Sequence, residues 1–350
     1  MSRILYLVAG EGNGHARRSA AVIEELKSRG HEVVAVSDRQ AISILSDVAD
    51  KVVEAVTPHM VYQDNRVLAW RTFFLNLSNL PKFIKDVFRI RRLSDSFDPA
   101  VVVTDFNPMG SFLAKRPLIS IDNQGVITNA DFEVPKGWII EYLKSKLVVR
   151  LMVPCARARL VTCFWNAPMR INAVRIDPIV SRKIRDLRQK KGKHLLVYQT
   201  STTNHDLAKL LPELDIEVRA YGFGKVGKTG KATFLPFDNN RWFDDLSSCR
   251  AVILNGGFSL ISEALFLKKP ILCFPIGHQF EQALNAFYLE KEGLGVWGKE
   301  QSATEVKRFL HQADLIQKKL SRVKLDHGSI RAADLIEKLI DSSQRKNFRS

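Results

Sequence analysis

The sequence predicts an α/β protein of two successive doubly wound parallel-sheet domains, with the functional cleft between them. Three observations lead there. Short apolar runs alternate with segments of helical spacing from the first residues onward; the alternation breaks once, in a proline-containing basic stretch; and it then starts again. At 350 residues the chain is long enough for two domains, each burying its own apolar centre.

The opening is β-α-β. "RILYLVAG" reads as a buried strand, "ARRSAAVIEELKSRG" as a helix closed by Gly30, and "HEVVAVSD" as a second strand, an order that implies a parallel pair. "PAVVVTD" and "PLISIDNQ" read as strands on either side of a helical "MGSFLAKR", and "LVTCFW" as a further strand. These segments define a first domain over residues 1–176. Residues 177–192 carry the break and are read as the linker with the first helix of the second domain. From 193 to 342 the order is strand "HLLVYQTS", helix "TTNHDLAKLLPEL", strands "IEVRAYGF" and "ATFLPF", helix "NRWFDDLSSC" and strand "RAVILNGG". Helix "FSLISEALFLKK", strand "PILCFPIG" and helix "QFEQALNAFYLEKEG" complete it, and residues 343–350 read as a solvated basic tail. In such folds the ligand lies beyond the carboxyl ends of the strands. The turns that follow the strands therefore carry the candidate chemistry.

With 53 Lys and Arg against 37 Asp and Glu the formal net charge is +16, which draws the protein to polyanions: nucleic acid, anionic lipid or a phosphorylated substrate. No helix-turn-helix, zinc-finger, RNP or KH pattern occurs, so no specific nucleic-acid partner is expected. Cys155, Cys163, Cys249 and Cys273 lack metal-site spacing and read as reduced, buried thiols. The N-terminus has no secretory apolar region and no run of about 20 apolar residues is found, so the expected location is cytoplasmic.

The first strand runs into "AGEGNGHARRS", residues 9–19. A strand, a glycine-rich turn and a helix start present free N–H groups and a helix dipole to an anion. The dinucleotide fingerprint is not met, because His15 stands at the place of its last glycine. Asp38, after the second strand, imitates a ribose-binding acid but is equally a turn residue. His15 is a candidate general base, since an imidazole of pKa ~6.5 accepts protons near neutrality; a helix-capping or loop histidine with no chemistry is the alternative. Asp105 ends a strand of the same sheet, where its carboxylate would fix the tautomer of His15; an N-cap is the alternative.

The second glycine turn, Asn255-Gly256-Gly257-Phe258-Ser259, joins a strand to a helix and reads as a diphosphate cradle, with Ser259 adding a hydroxyl. Glu263 projects one turn later on the same face, suited to a ribose diol. Past Pro275, the polar residues His278, Gln279, Glu281 and Gln282 are placed to read sugar hydroxyls.

Together these residues resemble the inverting glycosyltransferases of the GT-B fold: the transferase that adds GlcNAc to lipid-linked muramyl-pentapeptide, the UDP-glucuronosyl and glucosyl transferases, and MurG-like microbial proteins of this length. The C-terminal pattern of those families is matched by Gly256, Gly257, Ser259, Glu263, Pro270, Pro275, Glu281, Gln282, Asn285 and Ala286. Their N-terminal loop is matched by Gly12, Gly14, His15 and Arg18, and Asp105 falls where the dyad acid sits. Asn255 departs from the frequent His or Arg, and Glu281 from the usual Asp.

The resemblance implies two Rossmann-like domains of GT-B type and a nucleoside-diphosphate sugar as co-substrate, usually UDP-linked, with no other cofactor. It implies an acceptor-side loop at Gly12, Asn13 and Gly14 and a base site near Phe237. A second phosphate-facing loop is implied at Thr200, Ser201 and Thr202, for which an ordinary helix cap is the alternative. The implied reaction is a single inverting displacement, in which His15, held by Asp105, deprotonates an acceptor hydroxyl as the nucleoside diphosphate leaves. No Asp-x-Asp triple occurs, and metal independence is expected.

The stretch "LAWRTFFLNLSNLPKFIKDVFRIRRLSDSF" interleaves aromatics with Arg71, Lys82, Lys85, Arg89, Arg91 and Arg92. On a helix from about Pro81, Phe83, Val87 and Ile90 share one stripe, widened by Ile84 and Phe88 and flanked by the cations, which reads as a face for an anionic membrane. "EYLKSKLVVRLMVPCARARL" adds a second basic stretch. A packed helix with solvated charges is the alternative. A membrane face fits a lipid-linked acceptor and a peripheral position on the inner face of the cytoplasmic membrane. Two rival functions stand beside this one: a nucleotide-sugar 2-epimerase of the same fold, and a non-enzymatic protein that binds nucleic acid or membrane.

Overall fold

The computed structural model describes residues 1–113, 116–190, 192–200, 202 and 204–347. Among them the first half contributes strands β1 (Arg3–Val8), β2 (Glu32–Ser37), β3 (Lys51–Glu54), a hairpin of β4 (Tyr62–Gln63) and β5 (Arg66–Val67), β6 (Val101–Asp105), β7 (Leu118–Asp122), β8 (Ala158–Thr162) and β9 (Ala173–Ile176). The second contributes β10 (Leu195–Tyr198), β11 (Val218–Tyr221), β12 (Gly227–Thr229), β13 (Ala232–Leu235), β14 (Ala251–Leu254), β15 (Ile271–Cys273) and β16 (Gly295–Trp297). They form two seven-stranded sheets, ordered β3-β2-β1-β6-β7-β8-β9 and β12-β13-β11-β10-β14-β15-β16. Within these two sheets all ladder pairs are parallel except β12 with β13, and the β4–β5 hairpin forms a separate antiparallel pair.

Central strands such as β6 and β14 are buried along their whole length, as expected where both faces of a parallel sheet are covered. The chain order reverses at β1, between β2 and β6, and at β10, between β11 and β14. Those switch points open the ligand crevice of a doubly wound sheet. One glycine turn follows β1, and the other follows β14, the neighbour of β10. The two-domain α/β reading therefore holds.

One boundary is corrected. The helix Gly328–Asn347 was expected within the second domain, but Ala332, Ala333, Ile336 and Ile340 pack with Ile4, Tyr6 and Ala21 on the first sheet. Its apolar stripe matches a face of the first half, and Arg29 fastens it through Asp334 and Glu337 at 2.8 and 2.7 Å. Of the expected tail, residues 343–347 continue this helix and 348–350 lie outside the described residues. Of the segment read as helical "MGSFLAKR", residues 114 and 115 lie outside the described residues, and the described part holds a 3₁₀ turn, Pro108–Phe112, capped by the Asn107 side chain. Cys155, expected to be buried, is exposed, while Cys163, Cys249 and Cys273 are buried. A continuous core joins the halves: Phe164 of the first stacks on Phe258 of the second at 5.9 Å, and Trp165 on Tyr288 at 4.4 Å.

Candidate active site

Parallel register places Asp105, the last residue of β6, opposite Val8 at the end of β1. The helix Gly12–Ser28 starts just beyond that edge and brings His15 onto the carboxylate, with Nδ1 at 2.7 Å from Oδ1. Asp105 is fully buried and also accepts from Arg18 Nε at 2.9 Å and from Ser19 Oγ at 3.0 Å. Burial disfavours its charge, yet the Arg18 guanidinium and His15 beside it hold the carboxyl below the usual carboxylate range. An ionised Asp105 only accepts, so the proton in this contact belongs to His15 Nδ1. Its Nε2 is thereby left as the basic position.

The capping readings of the pair do not describe what is seen. The helix N-cap is Glu11 rather than His15, and Asn107 rather than Asp105 caps the following turn.

On the facing side Gly256 adopts φ +96°, and a Cβ there would stand 2.8 Å from Gln282 O, so the turn itself requires this glycine. Gly257 differs. Its φ is −62° and a Cβ there would meet nothing within 4 Å, so its bareness leaves backbone open to the cleft and the fold does not demand it. The helix Phe258–Phe266 begins at this point with no side-chain cap on its first N–H groups. Phe258 itself is buried, its ring stacked on Phe164. Asn255 ties the loop after β10 to the glycine turn after β14, accepting from Thr200 N at 2.8 Å and donating to Gln199 Oε1 at 2.9 Å. Thr202 is exposed, while Ser201 lies outside the described residues.

The expected ribose and sugar readers are already engaged by protein groups. Glu263 is buried, accepts from Trp242 Nε1 at 3.2 Å and pairs with Arg17 Nη1 at 3.5 Å. The Arg17 guanidinium stands 4.9 Å over the Phe237 ring. Glu281 reaches across the cleft and accepts from Asn123 Nδ2 at 3.0 Å and Gln124 Nε2 at 2.8 Å. Gln282 turns inward, where its Oε1 accepts from Ile276 N at 2.9 Å, which corrects its expected place beside Glu281 at the sugar. Asn285 pins the glycine turn by donating to Gly256 O at 3.0 Å. Gln279 is the N-cap of the next helix, and His278 faces Glu141 at 3.2 Å.

Several residues of the site were not singled out in the sequence. Gln124 Nε2 lies 3.5 Å from His15 Nε2, and Arg18 Nη1 donates to Asn123 Oδ1 at 3.2 Å. The signal was available: "DNQ" follows β7, whose carboxyl end shares the edge of β6. His59 was missed as well. It bridges Asp38 at 2.9 Å and Glu11 at 3.3 Å, and Asp38 also accepts from Thr57, which in turn accepts from Gly10 N. Asp38 thus locks the glycine loop. Among the described residues no group of three His, Cys, Asp or Glu side chains is arranged to hold a metal ion.

The first half shows an apolar surface. None of the helix Ala69–Ser78 is buried, and Trp70, Phe73, Phe74 and Leu77 lie exposed at helical spacing, Trp70 by 76%. On the helix Leu80–Phe97 the expected stripe is divided: Phe83, Val87 and Ile90 pack onto the sheet, while Leu80, Ile84 and Phe88 face out. Lys82, Lys85, Arg91 and Arg92 are exposed, but Arg89 is tied to the buried Asp86 at 2.9 Å. A third row, Ile140, Leu143, Leu147 and Leu151, is exposed on the helix Ile139–Met152. Among the described residues no helix is long and apolar enough to cross a membrane.

Two Rossmann-like sheets with facing glycine turns define the GT-B architecture, and solved structures share it. The chain is similar to the glycosyltransferase of kitacinnamycin (TM-score 0.69, 16% identity, 96% of this chain and 98% of the other). It is also similar to CalG4, the calicheamicin glycosyltransferase (0.68, 15%, 98% and 99%), and to a UDP-glucosyltransferase from Polygonum tinctorium (0.66, 13%, 97% and 99%). Residues 2–313 match the profile of glycosyl transferase family 1, and the chain belongs to that family. No curated protein sequence matches the chain. The protein is a glycosyltransferase, which sets aside the non-enzymatic alternative.

Proposed function

We propose that the protein moves a sugar from a nucleoside-diphosphate sugar, in the first instance a UDP-sugar, to a hydroxyl of a lipid-linked or membrane-associated acceptor, with inversion and without a metal. The 2.7 Å contact of His15 with Asp105 carries the chemistry. His15 Nε2 takes the acceptor proton, the acceptor oxygen forms its bond to the anomeric carbon from one face, and the carbon–phosphate-oxygen bond breaks on the other. Its electron pair leaves on the nucleoside diphosphate. Asp105 stabilises the imidazolium that forms, and the open N–H groups from Gly257 to Ser259 meet the charge on the leaving oxygen.

The membrane part rests on the three exposed apolar rows, all on the acceptor half and fringed by Lys82, Lys85, Arg91 and Arg92. Apolar side chains that enter an interface beside cations bind anionic bilayers by both terms at once. On this reading the protein works at the cytoplasmic face of a membrane, as a MurG-like enzyme of envelope glycan or glycolipid assembly.

The test screens UDP-, GDP- and TDP-sugars for release of nucleoside diphosphate, with wild type beside His15→Ala and Glu263→Ala, and follows sedimentation with vesicles rich in phosphatidylserine. Slow release from one sugar is expected, with turnover lost in His15→Ala and donor affinity lost in Glu263→Ala. Vesicle binding should fall at least tenfold in Trp70→Ser/Phe74→Ser. A sugar returned epimerised with no nucleotide released overturns the transfer reading. Wild type that ignores vesicles while glycosylating a free small molecule overturns the membrane acceptor.

A further inference from the structure

We propose that Gln124 orients the attacking hydroxyl, which lodges between its amide and His15 Nε2, and that Glu281 of the second half sets the amide for that task; the inference rests on the transfer reading above. From Asp105 a ring of contacts runs through both halves. Asp105 accepts from His15 and Arg18, and Arg18 Nη1 donates to Asn123 Oδ1 at 3.2 Å. Asn123 Nδ2 and Gln124 Nε2 then donate to the two oxygens of Glu281 at 3.0 and 2.8 Å, and Gln124 Nε2 faces His15 Nε2 at 3.5 Å, which closes the ring. In it Glu281 is the member that the second half contributes.

The sense of each contact is fixed. A carboxylate only accepts, so Gln124 turns its NH₂ to Glu281 and spends one of the two hydrogens there. The other meets the lone pair of His15 Nε2, because Asp105 keeps the imidazole proton on Nδ1. At 3.5 Å that contact stands at the outer limit of a hydrogen bond. A hydroxyl oxygen about 2.9 Å from each nitrogen bridges them in its place. It takes the amide hydrogen on one lone pair, gives its own proton to Nε2, and keeps the other lone pair for the anomeric carbon.

The surroundings support a slot for such a group. Gln124 is only 8% exposed, and its Oε1 is buried without a hydrogen-bond partner among the described residues, so the amide is one donor short where burial makes that costly. His15 is partly exposed and is held facing the slot: Asp105 grips one edge, and the Phe106 ring lies nearly parallel to the imidazole, 6.0 Å away. Phe106 itself stands at φ +54°, a strained setting for a bulky residue that the packing around it maintains. Glu281 ties the slot to the donor. A carboxylate offers about four acceptor sites, so it takes a sugar hydroxyl while keeping both amides. Sugar and attacking oxygen are then spaced by one pair of side chains.

Hydrolysis of whichever UDP-, GDP- or TDP-sugar the wild type turns over, with water as the hydroxyl, tests this through a double-mutant cycle of Gln124→Met and His15→Ala, with donor Kd by calorimetry beside each rate. Gln124→Met keeps the bulk and removes both polar branches, so kcat should fall roughly tenfold to a hundredfold while donor Kd stays within about twofold. On the His15→Ala background the same substitution should cost about threefold or less, because the amide serves a hydroxyl that the imidazole deprotonates. Equal cost on both backgrounds, unchanged turnover, or a donor affinity that falls in step with the rate overturns the proposal and leaves Gln124 as a tie between the halves. Wild type that releases no nucleoside diphosphate overturns the transfer reading itself, and Gln124's role with it. An unchanged melting temperature keeps the comparison free of unfolding; should Gln124→Met unfold, Gln124→Asn, which keeps the polarity and draws the amide back from the imidazole, carries the same cycle.

Discussion

Replacing Asp105 by Asn puts the base assignment under the most direct strain. The carboxylate accepts from His15 Nδ1, from Arg18 Nε and Nη2, and from Ser19 Oγ. A carboxamide of the same size keeps one acceptor oxygen and turns an NH₂ toward the remaining donors. Two separate losses follow. In rate, nothing fixes the proton on Nδ1 and the imidazolium loses its counter-charge, which lowers turnover by about 10³ to 10⁴. In stability, Arg18, only 3% exposed, keeps its charge without the carboxylate that bonds it, Asp122 and Glu281 acting on it only through space, and losing one partner of such a pair costs roughly 3–5 kcal/mol. The double variant Asp105→Asn/Arg18→Gln separates the two. It removes the stranded charge, so it should recover most of the stability and none of the rate. The assay is release of nucleoside diphosphate at saturating donor and acceptor, beside donor Kd and the urea midpoint. Turnover within a few-fold of wild type in either variant refutes the dyad.

Two further outcomes follow from the glycine loop and its lock. Burial favours neutral His59, but its hydrogen bonds to Asp38 and Glu11 raise its pKa from 6.5 to about 9. A histidine raised in the fold stabilises fully below its unfolded value and loses that contribution as pH climbs through about 9, so urea midpoints should fall between those limits. His59→Gln should flatten the slope, and an undiminished slope would discard the triad as its cause. At Gly10 a Cβ would stand 1.5 Å from Asp38 Oδ1, whereas at Gly257 it meets nothing within 4 Å. Gly10→Ala should therefore destabilise by roughly 3 kcal/mol, and Gly257→Ala should leave the urea midpoint in place while weakening donor binding; equal destabilisation by both contradicts the reading of Gly257 as open cradle.

What the sequence disclosed and what it hid have physical reasons. Parallel strands buried on both faces read as unbroken apolar runs, so β1, β6, β10 and β14 and the turns after them were legible, and with them His15, Asp105 and Gly257. The destination of the C-terminal helix was not, because an amphipathic stripe fits any apolar face and only docking selects the first sheet. Phe83 and Ile84 make the same point. Both belong to one broad apolar arc, and the sheet takes Phe83 while solvent takes Ile84. Glu281 and Gln282 were grouped at the sugar, yet one helical step turns the first across the cleft and the second into the core. Neighbouring residues on a helix diverge by an angle the sequence knows and in a direction only the tertiary structure decides.

The helix Gly12–Ser28 deserves to be regarded as the joint between the halves. Its first turns carry Gly14 against Ser259, His15 and Arg18 against Asp105, and Arg17 against Glu263. Its N-terminus lies beside that of the helix Phe258–Phe266, so two ends of positive partial charge are held together. Such ends repel, and the hydroxyl of Ser259 and the carboxylate of Glu263 offset the repulsion by bonding across it. An anion at that place satisfies both helices better than a hydroxyl does, because it interacts with the full positive end of each. A diphosphate bound there would draw the halves onto itself, and the histidine two residues before Arg17 would come into register with the sugar by the same movement. On the proposed reading, grip on the donor and readiness of the base are coupled through this helix.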